Sequence, residues 1–267
     1  MTSTVHPVAE LVAPDHWRTV ACIADLHLQA REPATFDAWQ RSMAQLLAKS
    51  TADAVFILGD LFEVWVGDDA LEADPAGFDA ACMQVLRDTA RQCPVFFMHG
   101  NRDFLVGHAC LDACGVTLLD DPTVLQFAGQ RWLLSHGDAL CLDDVDYLQF
   151  RAVVRDPQWQ HDFLAKPLAE RQQIARGIRS QSEDRKRSGA VYADVDAAAA
   201  IGWLNAAHAT VLVHGHTHRP AQHALGNDPG ESLQRWVLSD WDAAAHPPRG
   251  ELLCRSAAGV QRLPLDW

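Results

Sequence analysis

The chain has 267 residues, 48% of them hydrophobic, and a formal net charge of -13. This composition excludes a disordered or fibrous chain and is sufficient for one large domain, and the acidic balance argues against a general nucleic-acid-binding protein, which would present a basic surface. The longest apolar runs, at 54–58 and 210–215, are much shorter than the ~20 residues of a membrane-spanning helix, so no such helix is expected.

The N-terminal stretch and the cysteines favour a cytoplasmic location. Residues 1–17 lack the basic segment and the apolar run of a secretory signal. The seven cysteines are odd in number and scattered, without the paired spacing of a zinc site or a disulfide framework. We therefore expect them to be reduced and mostly buried.

Five short β-branched runs alternate with helical patterns along the chain. Each run ends in polar residues, with a glycine among them in all but the first, which is typical of a buried strand that delivers polar groups at its carboxyl end. The predicted strands are 18–27, 53–60, 94–101, 130–138 and 209–216, and the predicted helices are 33–50, 77–92 and 194–207. This alternation predicts an α/β fold with the functional site at the strand ends.

Residues 144–193 interrupt the alternation. They have helical spacing, prolines at two helix starts (Pro157 and Pro167) and no strand pattern, so we predict a helical insertion, or lid, over the site of a single domain spanning 1–267. Between residues 165 and 190 the insertion carries seven basic and three acidic residues, a net charge of +4. Two interpretations stay open: a solvated helical face, or a site for an anionic substrate or membrane surface.

The C-terminal tail carries two further strand patterns. Residues 234–241 and 250–256, followed by 259–265, are predicted to form antiparallel strands around a Pro/Gly turn.

Every predicted strand of the alternating part ends in side chains that can bind a metal ion. Residues two apart on a strand point to the same side, so Asp25 can converge with His27, and His216 with His218. Any one of these groups alone is more simply a hydrogen-bonded turn or core residue, but their joint occurrence at five strand ends favours a metal centre. The candidate ligands are Asp25, His27, Asp60, Asn101, His136, His216 and His218.

The chemistry of these groups indicates the kind of ion. A mixture of carboxylate, amide oxygen and imidazole suits Mn²⁺, with Fe, Co, Zn and Mg as alternatives. Seven ligands exceed what one catalytic ion takes from a protein, whereas two ions about 3.5–4 Å apart would accommodate them. We therefore predict two Mn²⁺ ions per chain.

The order of the motifs resembles a known superfamily. "DLH", "GD", "GNRD", "HGD" and "GHTH" follow one another as in the calcineurin-like metallophosphoesterases, whose fold is a β-sandwich flanked by helices. The longer stretches 59–69, 99–107, 135–147 and 214–220 are similar to the UDP-2,3-diacylglucosamine diphosphatases, a family of lipid A pathway pyrophosphohydrolases of Gram-negative bacteria. The similarity runs from about Val20 to Asp242 and leaves the first 17 residues outside it.

The resemblance implies a role for each motif residue. The ligands implied for one manganese ion are Asp25, His27 and His218, and those for the other are Asn101, His136 and His216, with Asp60 bridging. The substrate contacts implied are Asn101, Arg102, Asp144, Ser182, Lys186 and His216. Within these sets, Asp60, Asn101 and Arg102 are the expected catalytic residues.

The reaction implied is attack of water on the α-phosphorus of UDP-2,3-diacylglucosamine, giving UMP and 2,3-diacylglucosamine 1-phosphate. The resemblance also implies peripheral attachment to the cytoplasmic side of the inner membrane. The acidic net charge argues against a nucleic-acid partner, and no protein partner is inferred. Apolar residues of the helical insertion either line an acyl-chain groove or pack as an ordinary cap. They are Val153, Val154, Trp159, Phe163, Leu164, Leu168, Ile174 and Ile178.

Arg102 stands where many metallophosphoesterases have a histidine. A phosphate leaving group needs little protonation, whereas a diphosphate presents two adjacent anions that an arginine can bind bidentately. The simpler alternative is a salt-bridged arginine, with Asp103 as its partner. Asp103 itself has no assigned role, and a turn or cap residue is an equal interpretation.

Two other functions fit parts of the pattern. A soluble nucleotide pyrophosphatase or phosphodiesterase of the same superfamily would keep the metals, but a small substrate would not require the helical insertion. A non-catalytic scaffold would keep the fold and lose the metals, which the complete set of candidate ligands argues against.

Overall fold

A computed structural model of the chain describes residues 8–49, 51–187, 193–226 and 233–264, with the backbone alone described for 180–187. The strands are β1 (Ala9–Val12), β2 (Thr19–Ile23), β3 (Ala54–Leu58), β4 (Val95–Met98), β5 (Val116–Leu119), β6 (Thr123–Phe127), β7 (Gln130–Leu134), β8 (Val211–His214), β9 (Ala221–Leu225), β10 (Leu233–Val237), β11 (Glu251–Ser256) and β12 (Gly259–Pro264). The helices are α1 (Pro33–Ala48), α2 (Asp69–Ala73), α3 (Phe78–Ala90), α4 (His108–Cys114), α5 (Val145–Val154), α6 (Pro157–Leu164), α7 (Leu168–Arg187) and α8 (Ala197–Ala206).

The described strands form two six-stranded sheets. One has the order β1-β6-β7-β8-β10-β9 and the other β12-β11-β2-β3-β4-β5. Strands β2 to β5 are parallel to one another, as are β7, β8 and β10, so within each of these two sets the carboxyl ends of the strands lie at a common edge. These edges carry the motif residues.

Buried side chains alternate between two layers along the central strands. In β3, Phe56 and Leu58 belong to a cluster between the sheets, whereas Val55 and Ile57 face a second cluster that includes residues of α1 and α3. A strand that is buried on both faces is apolar at every position, which explains the unbroken run "AVFIL". The result is a β-sandwich flanked by helices, so the predicted fold class is confirmed.

The predicted strands and helices of the alternating part are all present, as β2, β3, β4, β7, β8, α1, α3 and α8. The prediction for the tail is wrong in one respect. Strands β11 and β12 form the expected antiparallel pair, but β10 lies in the other sheet, where it pairs in parallel with β8 and antiparallel with β9. The Pro/Gly segment at 247–250 therefore carries the chain from one sheet to the other instead of closing a hairpin.

Residues 8–17 are part of the fold, although the family resemblance did not extend to them. Strand β1 pairs in parallel with β6. Trp17 is buried, and its ring contacts those of Phe56 and Phe96 edge-on, with centroids 6.5 and 6.1 Å away. These contacts give the N-terminal segment a structural role in closing the sandwich.

Helices α5 to α7 occupy the stretch predicted as the helical insertion, and buried residues fix them to the rest of the domain. Phe163 is 6% exposed and belongs to the core cluster on the helix side of β2 to β4. Arg171 is 2% exposed, donates from Nε to the carbonyl of Lys166 at 2.9 Å, and contacts the carboxylate of Asp69 and the carbonyl of Val66. Arg171, one of the basic residues of the insertion, is therefore bound within the protein and does not belong to a solvated helical face.

The cysteines and the apolar character of the helices agree with the sequence expectations. All seven cysteines are free, and only Cys110 is less than fully buried. Within the described residues, no helix combines the length and the apolar character needed to cross a membrane.

Candidate active site

The candidate ligands lie on loops that follow the strands. Strand β2 ends at Ile23 and β8 at His214, so the paired motif residues are not on the strands, and strand periodicity is the wrong explanation for their convergence. Five of them instead have left-handed backbones: Asp25 (φ 56°), His27 (49°), Asp60 (53°), His216 (65°) and His218 (53°). Such conformations cost on the order of 1–3 kcal/mol each and are concentrated at functional sites.

One group of ligand atoms joins the loops after β2 and β8. Nε2 of His27 lies 3.2 Å from Nε2 of His218, and Oδ1 of Asp25 lies 3.5 Å from the same atom of His218. Side-chain donor atoms of these three residues all lie within 4.8 Å of one another. The structure thus brings together the three residues that the resemblance places on one ion.

A second group joins the loops after β4, β7 and β8. Oδ1 of Asn101 lies 3.0 Å from Nε2 of His136 and 2.9 Å from Nδ1 of His216. Oδ2 of Asp60 lies 3.7 Å from Nε2 of His136 and 3.9 Å from Nε2 of His27. Asp60 is therefore positioned between the two groups.

Asp25 lies close to both groups. Donor atoms of Asp25, Asp60 and His136 also lie within 4.8 Å of one another, although the resemblance places Asp25 on a single ion. Its other oxygen, Oδ2, accepts a hydrogen bond from the backbone N–H of His216 at 2.8 Å. This bond fixes the carboxylate at the junction of the two groups.

The arrangement of lone pairs fits bound cations. Nδ1 of His136 lies 2.9 Å from the carbonyl of Leu58 and therefore carries a proton, so Nε2, once deprotonated for a bound cation, turns a lone pair towards the oxygen of Asn101. Oδ1 of Asp25 is buried and has no hydrogen-bond partner among the described residues. Reversing the amide of Asn101 would let its nitrogen donate to Asp60 at 3.1 Å, but a cation favours the oxygen facing inwards. Converging lone pairs of this kind are what a metal-binding site requires.

The electrostatics of the groups are dominated by burial and by the carboxylates. Burial alone would lower the pKa of His136, but Asp60, Asp138 and Asp25 raise it to about 9. Burial lowers the pKa of His216 to about 3, and the charge of His136 acts in the same direction. Burial would raise the pKa of Asp25, but His218 and His136 hold it below its usual range. The carboxylates of Asp25, Asp60 and Asp138 thus favour a positive charge among the ligand groups.

Asp103 holds the two central loops together. Its carboxylate is buried and accepts hydrogen bonds from the backbone N–H groups of Leu61 (2.7 Å), Gly100 (2.8 Å), Asp60 (3.3 Å) and Phe62 (3.3 Å). These bonds join the loop after β3 to the loop after β4. The residue that the sequence left without a role therefore positions the loops of Asp60 and Asn101.

Arg102 lies at the edge of the ligand groups. Its backbone N–H donates to Oδ1 of Asp60 at 2.8 Å, and Nη1 lies 3.8 Å from Oε1 of Glu63, with 19% of the side chain exposed. The alternative of a salt-bridged arginine is therefore met by Glu63 and not by Asp103, because Asp103 is engaged with the backbone.

The other predicted substrate residues lie on the helical insertion. Asp144 is the N-cap of α5 and accepts a hydrogen bond from the backbone N–H of Tyr147 at 3.2 Å. Tyr147 in turn places its ring 5.7 Å from that of His216. Ser182 and Lys186 fall in α7 where only the backbone is described, so their side chains lie outside the described residues.

Two residues beside the ligand groups were missed from the sequence. Glu63 contacts Nδ1 of His27 at 3.0 Å, and its place in the stretch 59–69, which carries part of the family resemblance, was a signal that could have found it. Asp138 is buried and contacts Tyr147 and Arg151, the latter through Nε at 2.9 Å. It belongs to the "HGD" motif, so the motif itself was a signal that could have found it.

Gly100 allows the close approach of the two central loops. A Cβ on this residue would overlap Oδ1 and the backbone nitrogen of Asp60. We expect Gly100→Ala to lower both the metal content and kcat, the latter by about 100-fold, because a displacement near 1 Å at a catalytic group has an effect of this size. Metal analysis and steady-state kinetics check this expectation.

Gly202→Ala in α8 is the matched control. Its Cβ would have no neighbour within 4 Å, and alanine has the higher helix propensity, so full activity is expected. Retention of metal and activity in Gly100→Ala would mean that the loops are not held as closely as described.

The sequence and its relatives place this site in a family. Residues 18–220, most of the chain, match the calcineurin-like phosphoesterase family. The chain is a calcineurin-like phosphoesterase. This phosphoesterase is 46% identical over 252 residues to the UDP-2,3-diacylglucosamine hydrolase of Chromobacterium violaceum. The matched residues make up 91% of this chain and 97% of the relative.

Two further relatives carry the same name. The UDP-2,3-diacylglucosamine hydrolase of Bordetella pertussis is 44% identical, covering 89% of this chain and 92% of its own. The hydrolase of Pseudomonas entomophila is 39% identical, and the match covers 93% of this chain and 99% of that relative. At these identities the phosphoesterase belongs to the family of these hydrolases, which confirms the resemblance to the UDP-2,3-diacylglucosamine diphosphatases. The protein is therefore a hydrolase of the metallophosphoesterase superfamily.

Proposed function

We propose that this phosphoesterase hydrolyses the pyrophosphate bond of UDP-2,3-diacylglucosamine, giving UMP and 2,3-diacylglucosamine 1-phosphate. The observation that carries the proposal is its 46% identity, along 91% of the chain, to a hydrolase named for this substrate. The complete set of candidate ligands supports a catalytic protein over a scaffold. The helical insertion supports a substrate larger than a soluble nucleotide.

We propose two divalent cations in the site, with Mn²⁺ best suited to the mixed donors. Asp25, His27 and His218 would hold one, and Asn101, His136 and His216 the other, with Asp60 between them. Asp25 is close enough to the second group to contribute there as well. Bound divalent ions supply Lewis acidity, which makes water more acidic and neutralises charge on the phosphoryl oxygens.

The residues of the chain orient the substrate around this centre. Asn101 and Arg102 follow β4 at the edge of the ligand groups, where the α-phosphate would lie for attack by water. The Arg102 guanidinium would bind the adjacent anionic oxygens of the diphosphate. Because the leaving group is itself a phosphate, no histidine is needed to protonate it. Asp144, Ser182 and Lys186 are proposed as further substrate contacts from the helical insertion.

Seven of the eight candidate apolar residues of the helical insertion divide into two sets, and the half-buried Leu168 belongs to neither. Val154 and Phe163 are buried, and Trp159 and Ile174 pack on the core, so ordinary packing accounts for these four. Three others are exposed: Val153 (53%), Leu164 (41%) and Ile178 (37%). We propose that this exposed set meets acyl chains or the inner-membrane surface and attaches the enzyme peripherally on the cytoplasmic side.

The proposal is tested by comparing hydrolysis of UDP-2,3-diacylglucosamine and UDP-glucose. Burying one CH₂ contributes about 0.8 kcal/mol, so contact with only about four methylenes corresponds to about 100-fold in kcat/KM. We expect the diacyl substrate to be preferred by at least about that factor. Equal efficiency would instead indicate a soluble nucleotide pyrophosphatase.

A further inference from the structure

Glu63 lies between the ligand groups, Arg102 and the helical insertion. It follows β3, and its side chain is 12% exposed. Oε2 lies 3.0 Å from Nδ1 of His27, whereas Oε1 lies 3.8 Å from Nη1 of Arg102 and 3.6 Å from Nη2 of Arg179. One carboxylate therefore contacts a candidate metal ligand, the candidate phosphate-binding arginine and helix α7.

We infer that Glu63 is a positioning residue, which orients His27 for the cation and holds Arg102 and Arg179 together as a binding site for the diphosphate. The inference rests on the proposed function and deepens it. It adds Glu63 and Arg179 to the site, two residues to which the sequence analysis gives no individual role.

The first part of the inference concerns the ring of His27. A carboxylate beside Nδ1 favours the tautomer with the proton on that nitrogen and leaves the lone pair on Nε2. Nε2 is the atom that faces the ligand groups, at 3.2 Å from Nε2 of His218 and 3.9 Å from Oδ2 of Asp60. A carboxylate in this position fixes the ring orientation and raises the basicity of a metal-binding histidine.

The second part concerns the two arginines. Arg179 and Arg102 lie 3.6 and 3.8 Å from Oε1, beyond the distance of a good hydrogen bond, so both contacts are between charges. Two guanidinium groups therefore face the same carboxylate oxygen, beside the candidate ligand His27. The two adjacent phosphates of a diphosphate have the charge and geometry to bind such a pair of guanidinium groups.

Arg179 connects this position to the helical insertion. Its side chain is 22% exposed, and Nη1 donates to Oε1 of Gln29 at 3.2 Å, in the loop after β2. Helix α7 is therefore held against the loop that carries His27. Binding of the diphosphate by Arg179 would fix the position of α7 relative to the lipid end of the same substrate.

The test uses three variants of the full chain, Glu63→Ala, Glu63→Gln and Arg179→Ala. The first readout is the affinity for Mn²⁺ alone, from competition with a chelator and without substrate. In Glu63→Ala, the more weakly bound of the two Mn²⁺ ions is expected to bind 10–100-fold less tightly than in the wild type. This is the usual effect of losing a partner of a ligating histidine. Glu63→Gln keeps an acceptor for Nδ1–H and is expected within about threefold of wild type. Wild-type affinity in Glu63→Ala would overturn the role in orienting His27.

The second readout is the change in KM and the change in kcat, measured separately with the diacyl substrate. Glu63→Gln and Arg179→Ala are expected to raise KM about tenfold with kcat within about threefold, because both weaken the paired arginines and keep the orientation of His27. Arg179→Ala is further expected to bind Mn²⁺ as the wild type does. Unchanged KM in both variants would overturn the role of the arginine pair.

Glu170→Ala is the matched control. Glu170 is also a glutamate beside a cation, pairing with Lys166 at 2.6 Å, but its side chain is 47% exposed on the helical insertion. Wild-type Mn²⁺ affinity and KM are expected. Since Mn²⁺ affinity is measured without substrate, a wrong assignment of the lipid substrate would leave the first readout intact, so the two failures are distinguishable.

Discussion

Asp60→Asn is expected to lower kcat by about 10³-fold or more and to reduce the metal content of the purified protein. Asp60 is 1% exposed and lies between the two ligand groups, with Oδ2 near both His136 and His27. Asparagine keeps the shape but replaces one oxygen by a donor and removes the charge that the cations require. An effect of this size is typical for losing preorganised electrostatic stabilisation at a reacting group.

Asp53→Asn is the control for this substitution. Asp53 precedes the same strand, β3, at its other end, where its carboxylate accepts hydrogen bonds from the backbone N–H groups of Arg18 and Thr19. We expect this control to keep its metals and its kcat even where the melting temperature falls. Two bound ions and activity within about tenfold in Asp60→Asn would contradict a bridging role.

Arg102→Ala is expected to keep both metal ions and to lose turnover by about 10²–10³-fold. The side chain lies outside the set of candidate ligands, so its loss leaves the donors in place, but it removes the permanent cation from the proposed diphosphate site. One well-placed donor to developing charge contributes a factor of this size. Metal analysis and single-turnover kinetics separate the two effects.

Arg102→Lys and Arg131→Ala complete the comparison. Lysine keeps the charge without the bidentate fork, so an intermediate rate is expected. Arg131 pairs with Glu10 at 2.7 Å, in the sheet away from β4, and its loss is expected to leave turnover unchanged. Arg102→Ala activity within a few-fold of wild type would show that this arginine does not bind the phosphates.

The strands and the identity of the candidate ligands could be predicted because each depends on local sequence. A strand buried on both faces must be apolar throughout, and metal binding restricts the residue types after it. The short elements carried no such pattern. Helix α2 has five residues and none of them buried, and β1, β9 and β5 are partly exposed edge or hairpin strands.

The rest of the site depends on contacts between distant parts of the chain. The left-handed backbones of Asp25 and His27 cannot be inferred from their side chains, so periodicity gave the right neighbours for the wrong reason. The role of Asp103 requires knowing that the loops after β3 and β4 are adjacent. Arg179 reaches Glu63 across a separation of more than one hundred residues, and no local motif encodes such a pair.

Hydrolysis of UDP-2,3-diacylglucosamine in ¹⁸O-labelled water, with both products examined by mass spectrometry, tests the proposed reaction directly. Attack of water on the α-phosphorus predicts one labelled oxygen in UMP and none in 2,3-diacylglucosamine 1-phosphate, with no reaction after chelation and recovery when Mn²⁺ is returned. Label in the sugar phosphate, or turnover that survives complete chelation, would contradict the proposed metal-dependent attack.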